Sequence, residues 1–282
     1  MDSALVAVLY GLGGAIGWGT SNFFAAKATR EKNVVYTVFN SQLLLFLSMA
    51  IIVLIIRPEI NVPLSTVVFI ALNYLIFTVG LLISYRAFAI GPVSITSPIV
   101  GANSLIVVAV SVIVFNEALK INQWIGIGIL FLGLLIASYE RSKKRSKEDS
   151  SGILLAFIAF VFIGAGIAGF VYAIGKVGWE MAVLLGYFFP AFWAGLYLLA
   201  KRRLKTPHIS KNVAGLVGFQ LLGTIAVSVG VEKSLASLVV PVSSVSPLVT
   251  SVLGLILFKE KIFKYKLIGV AFIILGLVLI SV

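Results

Sequence analysis

Long apolar runs alternate with short polar stretches along the whole chain. Runs such as Leu43–Leu47 and Ile51–Ile56 show no period of two. That excludes strands with one face to lipid and the other to a lumen. Backbone N–H and C=O groups in hydrocarbon must be satisfied within the segment, and a helix of roughly 20 apolar residues achieves this across a bilayer. Ten runs approach that length: 4–26, 34–56, 65–90, 92–115, 122–139, 152–175, 181–200, 212–233, 235–258 and 264–281. The pattern predicts an all-α integral membrane protein with ten transmembrane helices.

Composition strengthens this reading. Of the 282 residues, 60% are hydrophobic and 11% charged, with a mean hydropathy of +1.13. A soluble domain is about 45–50% apolar and about 25% charged. Its surface must be covered by polar groups, which this chain lacks. There is no cysteine, so disulfides, thiolate metal sites and cysteine nucleophiles are excluded. Only Asp2 precedes the first apolar run, which has no basic leader or obvious cleavage site and reads as a first span.

Charge gives the expected orientation. Ten spans place eighteen of the 22 Lys and Arg residues on one side, in the loops around Lys27–Lys32, Arg86, Arg141–Lys147, Lys201–Lys211 and Lys259–Lys266. Only Arg57, Lys120, Lys176 and Lys233 fall on the other. The positive-inside rule puts the first group in the cytoplasm and both termini outside, in a multi-pass protein of the cell membrane. The net charge of +12 lies in short loops beside lipid headgroups, with no basic domain outside the membrane. A lipid bilayer is therefore the expected partner and nucleic acid is not.

The chain also repeats itself at an offset of 143 residues (241 less 98). Gly80 matches Gly223, Ser94 matches Ser237, and Pro98 matches Pro241. Phe115-Asn116-Glu117 matches Phe258-Lys259-Glu260, Gly126 matches Gly269, and Leu132-Gly133-Leu134 matches Leu275-Gly276-Leu277. The expected units are 1–139 and 152–282, joined by a charged cytoplasmic linker over 140–151. Five spans per unit is odd, so the second unit enters the membrane inverted. The loop at Arg57 is poor in charge while its counterpart at Lys201–Lys205 is rich, which agrees. Inverted repeats characterise alternating-access carriers, whose substrate site lies near the midplane between the halves.

With Trp18-Gly19-Thr20-Ser21-Asn22-Phe23-Phe24-Ala25-Ala26-Lys27 in the first span, the chain resembles the EamA family of the drug/metabolite transporter superfamily. Tyr85-Arg86-Ala87-Phe88-Ala89-Ile90-Gly91-Pro92 and Phe115-Asn116-Glu117 are similar to the family's third and fourth helices. Ser246-Pro247, Lys259-Glu260 and Gly269 fit its second repeat. The resemblance covers almost the whole chain. It implies a ten-helix carrier of metabolites such as amino acids, often an exporter, and leaves the substrate open. One position departs from the family: the proline before the fourth-helix glutamate is Pro247 in the second half but Ser104 in the first. The first half keeps Pro98 instead, which moves its expected helix break nearly two turns away.

Polar residues in lipid need a reason. Ser94, Ser97, Gly101, Ser104 and Ser111 share one face of the fourth span, with Asn103 beside them. Ser237, Ser244, Pro247, Ser251 and Gly254 form the corresponding stripe on the ninth. Small residues of this kind serve close helix packing, where hydroxyls bond to their own carbonyls. Paired across inverted repeats, the two stripes are expected to line a substrate cavity. Pro98, Pro241 and Pro247 are candidate helix breaks that free backbone carbonyls. Trp18, Ser21 and Asn22 extend the candidate wall onto the first span, where Gly13 and Gly17 read as a close-packing pair. Lys27 and Arg86 lie at cytoplasmic span ends, where they snorkel to headgroups, gate the site or meet a substrate carboxylate. Gly164-Ala165-Gly166-Ile167-Ala168-Gly169 matches a dinucleotide fingerprint only by coincidence, since it lies within a span and no strand precedes it.

All ten carboxylates lie at span ends or in loops. Glu117 and Glu260 read as helix-end anchors, and the lone His208 as solvated. A proton-coupled multidrug exporter uses an embedded ionisable relay, and none is central here. An intramembrane enzyme needs a nucleophile–base pair or metal-ligand motif, which is absent, and a channel needs rings of like residues from several subunits. No catalytic residue, cofactor or metal is expected, and the question of a homo-oligomer stays open. The sequence thus favours a small-molecule carrier of neutral or zwitterionic solutes.

Overall fold

The computed structural model describes residues 3–31, 33–91, 96, 99–138, 147–203, 209–258 and 264–281. Among them there are helices and turns but no strand. In chain order the helices are α1 (Ser3–Glu31), α2 (Val34–Ile56), α3 (Leu64–Ile90), α4 (Ser104–Val114), α5 (Ile121–Ser138) and α6 (Lys147–Ala200). They continue with α7 (Lys211–Lys233), α8 (Ala236–Ser243), α9 (Ser246–Phe258) and α10 (Lys264–Ser281). Among the described residues, five segments are long and apolar enough to cross a membrane: Ser3–Thr29, Val34–Ile56, Leu64–Ala87, Ser150–Ala200 and Lys211–Lys233.

Large apolar side chains face outward while polar ones are buried among the helices, unlike a soluble bundle. Ile113 is 76% exposed and Leu222 is 65% exposed, as are many large aliphatic side chains on α2, α3 and α6. Ser21, Thr37, Gln42, Asn73, Thr224 and Ser228 are buried. A monomer in water does not present so much apolar surface, whereas lipid is its natural solvent.

Helix starts and stops follow local chemistry. Asn33 caps α2, its side chain accepting from the Val35 amide at 2.9 Å, and Ser210 caps α7 through Val213 at 3.3 Å. Pro63 precedes α3, where its lack of an amide costs nothing. Gly178 interrupts α6 with φ 75° and ψ 163°, a conformation cheap only for glycine. It divides Lys147–Ala200 into two apolar lengths at the junction of the expected sixth and seventh spans. Lys147–Ser151, expected in the linker, are helical, while 140–146 lie outside the described residues.

Close helix pairs form where glycines remove side chains. α1 lies against α7, where a Cβ on Gly17 would come within 2.8 Å of the Phe219 carbonyl and closer still to the Gly223 backbone. α3 lies against the first part of α6: Gly80 meets Ile163, and Asn73 Nδ2 donates to the Gly166 carbonyl at 2.9 Å. The three glycines of the coincidental fingerprint thus receive side chains of α3 and α4, with Gly164 against Ile106, Gly166 against Phe77 and Gly169 against Asn73. α5 and α10 cross where Gly126 meets the Gly276 carbonyl and Gly133 meets the Gly269 carbonyl. In membranes such contacts replace the hydrophobic drive, because lipid tails are as apolar as leucine.

Two apolar clusters flank the centre. One joins α1, α5, α8 and α10 through Ala7, Leu130, Val239 and Ile280. The other joins α2, α3 and α6 through Leu45, Ile70, Phe170 and Val183. A cavity lies between them.

Candidate functional site: a central cavity between the halves

Two broken helical stretches shape the cavity. The stretch expected as the ninth span divides into α8 and α9 around a turn at Ser244–Val245. Pro247 stands in the first turn of α9, and Pro241 lies inside α8 just before the break. The stretch expected as the fourth span turns at Ala102–Asn103 before α4. The 143-residue offset carries Ala102–Asn103 to Val245–Ser246, one residue from the ninth-span break. The first half thus turns beside Ser104 without a proline there. Side chains do the work instead: Asn103 Nδ2 donates to the Val100 carbonyl at 2.6 Å, and Ser104 Oγ to Gly101 at 3.4 Å. Pro98 lies outside the described residues.

The hydroxyls around the breaks spend their protons locally. Ser243 Oγ donates to Val240 at 2.7 Å and Ser244 Oγ to Pro241 at 2.5 Å. Thr250 Oγ1 is placed to donate to Ser246 O at 3.1 Å or across to Gly19 O at 2.8 Å. A hydroxyl has one donor and two acceptor lone pairs, so Ser104, Ser243 and Ser244 present acceptors to the cavity.

The rest of the wall is built by α1, α2, α3, α6 and α7. Trp18 Nε1 donates to Thr224 Oγ1 at 3.0 Å, and Ser21 Oγ donates to Gln220 Oε1 at 2.9 Å. The second bond uses only the carbonyl side of the Gln220 amide, leaving its nitrogen as a donor. Gln42, Tyr74, Phe77, Tyr85 and Phe170 complete an aromatic and amide surface around a cavity of about 190 Å³. Tyr187 also lines it, and its buried hydroxyl finds no well-formed hydrogen-bond partner. No Lys, Arg, His, Asp or Glu stands among the described lining residues.

The structure brings together Trp18, Asn22, Gly101, Asn103, Ser104, Ser244 and Pro247 at this cavity. Ser21 stands one step behind it, bonded to Gln220. Ser94 and Ser97 lie outside the described residues, as do Glu260 and His208, and the Ser251 side chain is likewise not described. Ser111 is fully buried on α4 without reaching the cavity. Lys27 does not line it either: its Nζ lies 4.4 Å from the Phe23 ring centroid. Arg86 is exposed away from it. Glu117 is a helix-end anchor, its carboxylate accepting from the Ala236 and Ser237 amides at the start of α8.

Sequence reasoning missed Gln42, Tyr74, Phe77, Tyr187, Gln220 and Thr224. A usable signal was the repeat itself. The 143-residue offset pairs Phe77 with Gln220, Leu81 with Thr224, Val100 with Ser243, Gly101 with Ser244, Asn103 with Ser246 and Ser104 with Pro247. Both members of each pair line the cavity.

Comparisons with known proteins agree in fold. A crystal structure of a protein 14% identical to this chain superposes with a TM-score of 0.80, covering 98% of each chain. An uncharacterized protein of Methanocaldococcus jannaschii is 27% identical over 132 residues, which are 47% of this chain and 96% of that protein. The model of the EamA-like transporter family matches twice, over residues 5–139 and 150–282. With both halves matched and several helices long and apolar enough to cross a bilayer, the chain is a multi-pass membrane protein that belongs to the EamA-like transporter family.

Proposed function

We propose that this protein carries small neutral or zwitterionic metabolites across the cell membrane by alternating access between two inverted five-helix repeats. The observation that carries the reading is the central cavity lined by repeat-related positions and, among the described residues, by no charged side chain. A dianion or a small organic cation would lose its hydration there without a counter-charge, which is costly in a low-dielectric site. An amino group or hydroxyl finds acceptors at the two helix breaks, and a carbonyl or carboxylate oxygen finds amide and phenol donors opposite. The volume of about 190 Å³ equals roughly six water molecules, below the range of drug-sized pockets.

The inverted ten-span arrangement is supported by packing. Under the 143-residue offset Gly126 corresponds to Gly269 and Gly133 to Gly276. The contacts Gly126–Gly276 and Gly133–Gly269 therefore map onto each other, as contacts related by a two-fold axis must. The archaeal relative is about one repeat long, which favours the repeat as the unit. With 140–151 as a cytoplasmic linker, both termini lie outside.

The test is purified protein in liposomes, screened for flux of amino acids, sugars, nucleosides, organic acids and organic cations. Neutral or zwitterionic solutes move, and flux persists when the proton gradient is collapsed. Ser244→Trp, which fills the cavity, reduces flux at least roughly tenfold while folded protein remains in the membrane. Transport confined to dianions or cations, or unchanged in Ser244→Trp, overturns the substrate class or the site.

A further inference from the structure

The geometry points to a gate at one end of the central cavity, with Glu117 as its latch. This rests on the carrier reading above and adds the residue that holds one side shut. α4 ends at Val114, Asn116 turns left-handed (φ 55°), and the Glu117 amide returns to the Ser111 carbonyl at 3.1 Å. This turn directs the Glu117 side chain to the start of α8. One carboxylate oxygen accepts from the Ala236 amide at 3.1 Å, and the other from the Ser237 amide at 2.9 Å and the Ser237 hydroxyl at 2.5 Å.

A helix N-terminus leaves amides without partners, and the preceding residue ordinarily supplies the cap. Here that residue is Leu235, which makes no side-chain capping bond. The cap comes instead from a residue 119 positions away in sequence. The bonds therefore tie two helices of different halves together.

Beneath the latch lies an apolar layer. Val107 of α4, Ala168 and Val171 of α6, and Ala236 and Val240 of α8 form one buried cluster, with Phe115, Ile167 and Val231 packed against it. Val240 and Ile167 face the central cavity. Val171, Ala236, Phe115 and Val231 face a second pocket, which also holds Glu117, Lys176 and Glu232. The layer thus separates the two spaces, and an apolar constriction of this kind excludes water and solute. A solute that passes must part α8 from α4 and α6, which separates the Glu117 carboxylate from the amides it caps. Water from the outer pocket can replace those bonds, so the latch reopens and closes without leaving a dry, unpaired charge.

The chain has no cysteine, so single cysteines report access directly. Ser104→Cys places a thiol in the cavity, and Ala118→Cys, exposed beside Glu117, marks the face that carries the latch. In sealed vesicles, a membrane-impermeant thiol reagent labels Ser104→Cys slowly from the Ala118 face. Added to Ser104→Cys, Glu117→Ala speeds labelling from that face roughly tenfold or more, as expected on losing charge-assisted bonds. Glu117→Gln and Ser237→Ala keep the side-chain shapes and give smaller increases. Labelling from that face unchanged in both conservative variants overturns the latch. A rise equal from both faces also overturns it, because that signals a loosened fold. Solute flux in the unsubstituted protein and in Glu117→Gln and Ser237→Ala with Ser104 intact separates the two readings. If no solute moves in any form, the carrier function falls and the labelling result stands. Normal flux with unchanged labelling removes only the latch.

Discussion

Trp18 shows how single residues decide the character of the cavity. Its indole N–H, in an apolar helix, needs an acceptor, and Thr224 on α7 provides one at 3.0 Å. This bond fixes a large flat side chain at the cavity wall and spends a lone pair of Thr224. Thr224→Val keeps the shape and strands the N–H, at a cost of about 1–3 kcal/mol in stability. Thermal unfolding in detergent measures that loss, and Thr224→Ser restores most of it. At this scale the sequence was partly legible. Trp18, Asn22, Ser104 and Ser244 stood out as polar residues in apolar runs. Tyr74, Phe77 and Tyr187 did not, because an aromatic residue in a span suits lipid, packing or a cavity equally well.

Among the elements, the breaks carry most of the meaning. α2 and α7 begin and end within a residue of the apolar runs that predict them, since a run bounded by polar residues leaves little freedom. The stretches around Asn103 and Ser244 each divide at a turn, and only the second has a proline at the break, among those the sequence offered as candidate breaks. Ser and Asn side chains that bond to nearby carbonyls permit a break without demanding it, so tertiary packing decides. Gly178 is the clearest local determinant. Its φ of 75° with ψ of 163° strains any other residue, so Gly178→Ala destabilises the protein by about 1–3 kcal/mol. A lowered unfolding temperature with unchanged ligand-free labelling of the cavity is the expected result.

For the whole molecule, charge and repeat make the testable statement. Eighteen basic residues on one predicted side against four on the other predict an outside C-terminus. A reporter active only in the cytoplasm is therefore silent when fused after Val282, and one active only outside is bright. Reversed activities would overturn the orientation. Membrane character, the bounds of helices such as α2 and α7, and the internal repeat were legible in the sequence alone, because hydropathy and duplication are properties of the linear chain. Tertiary structure decided which polar residues meet, that Glu117 caps a helix of the other half, and that an apolar layer closes one end of the cavity. Those depend on contacts between segments from about sixty to more than two hundred residues apart, which no local pattern records.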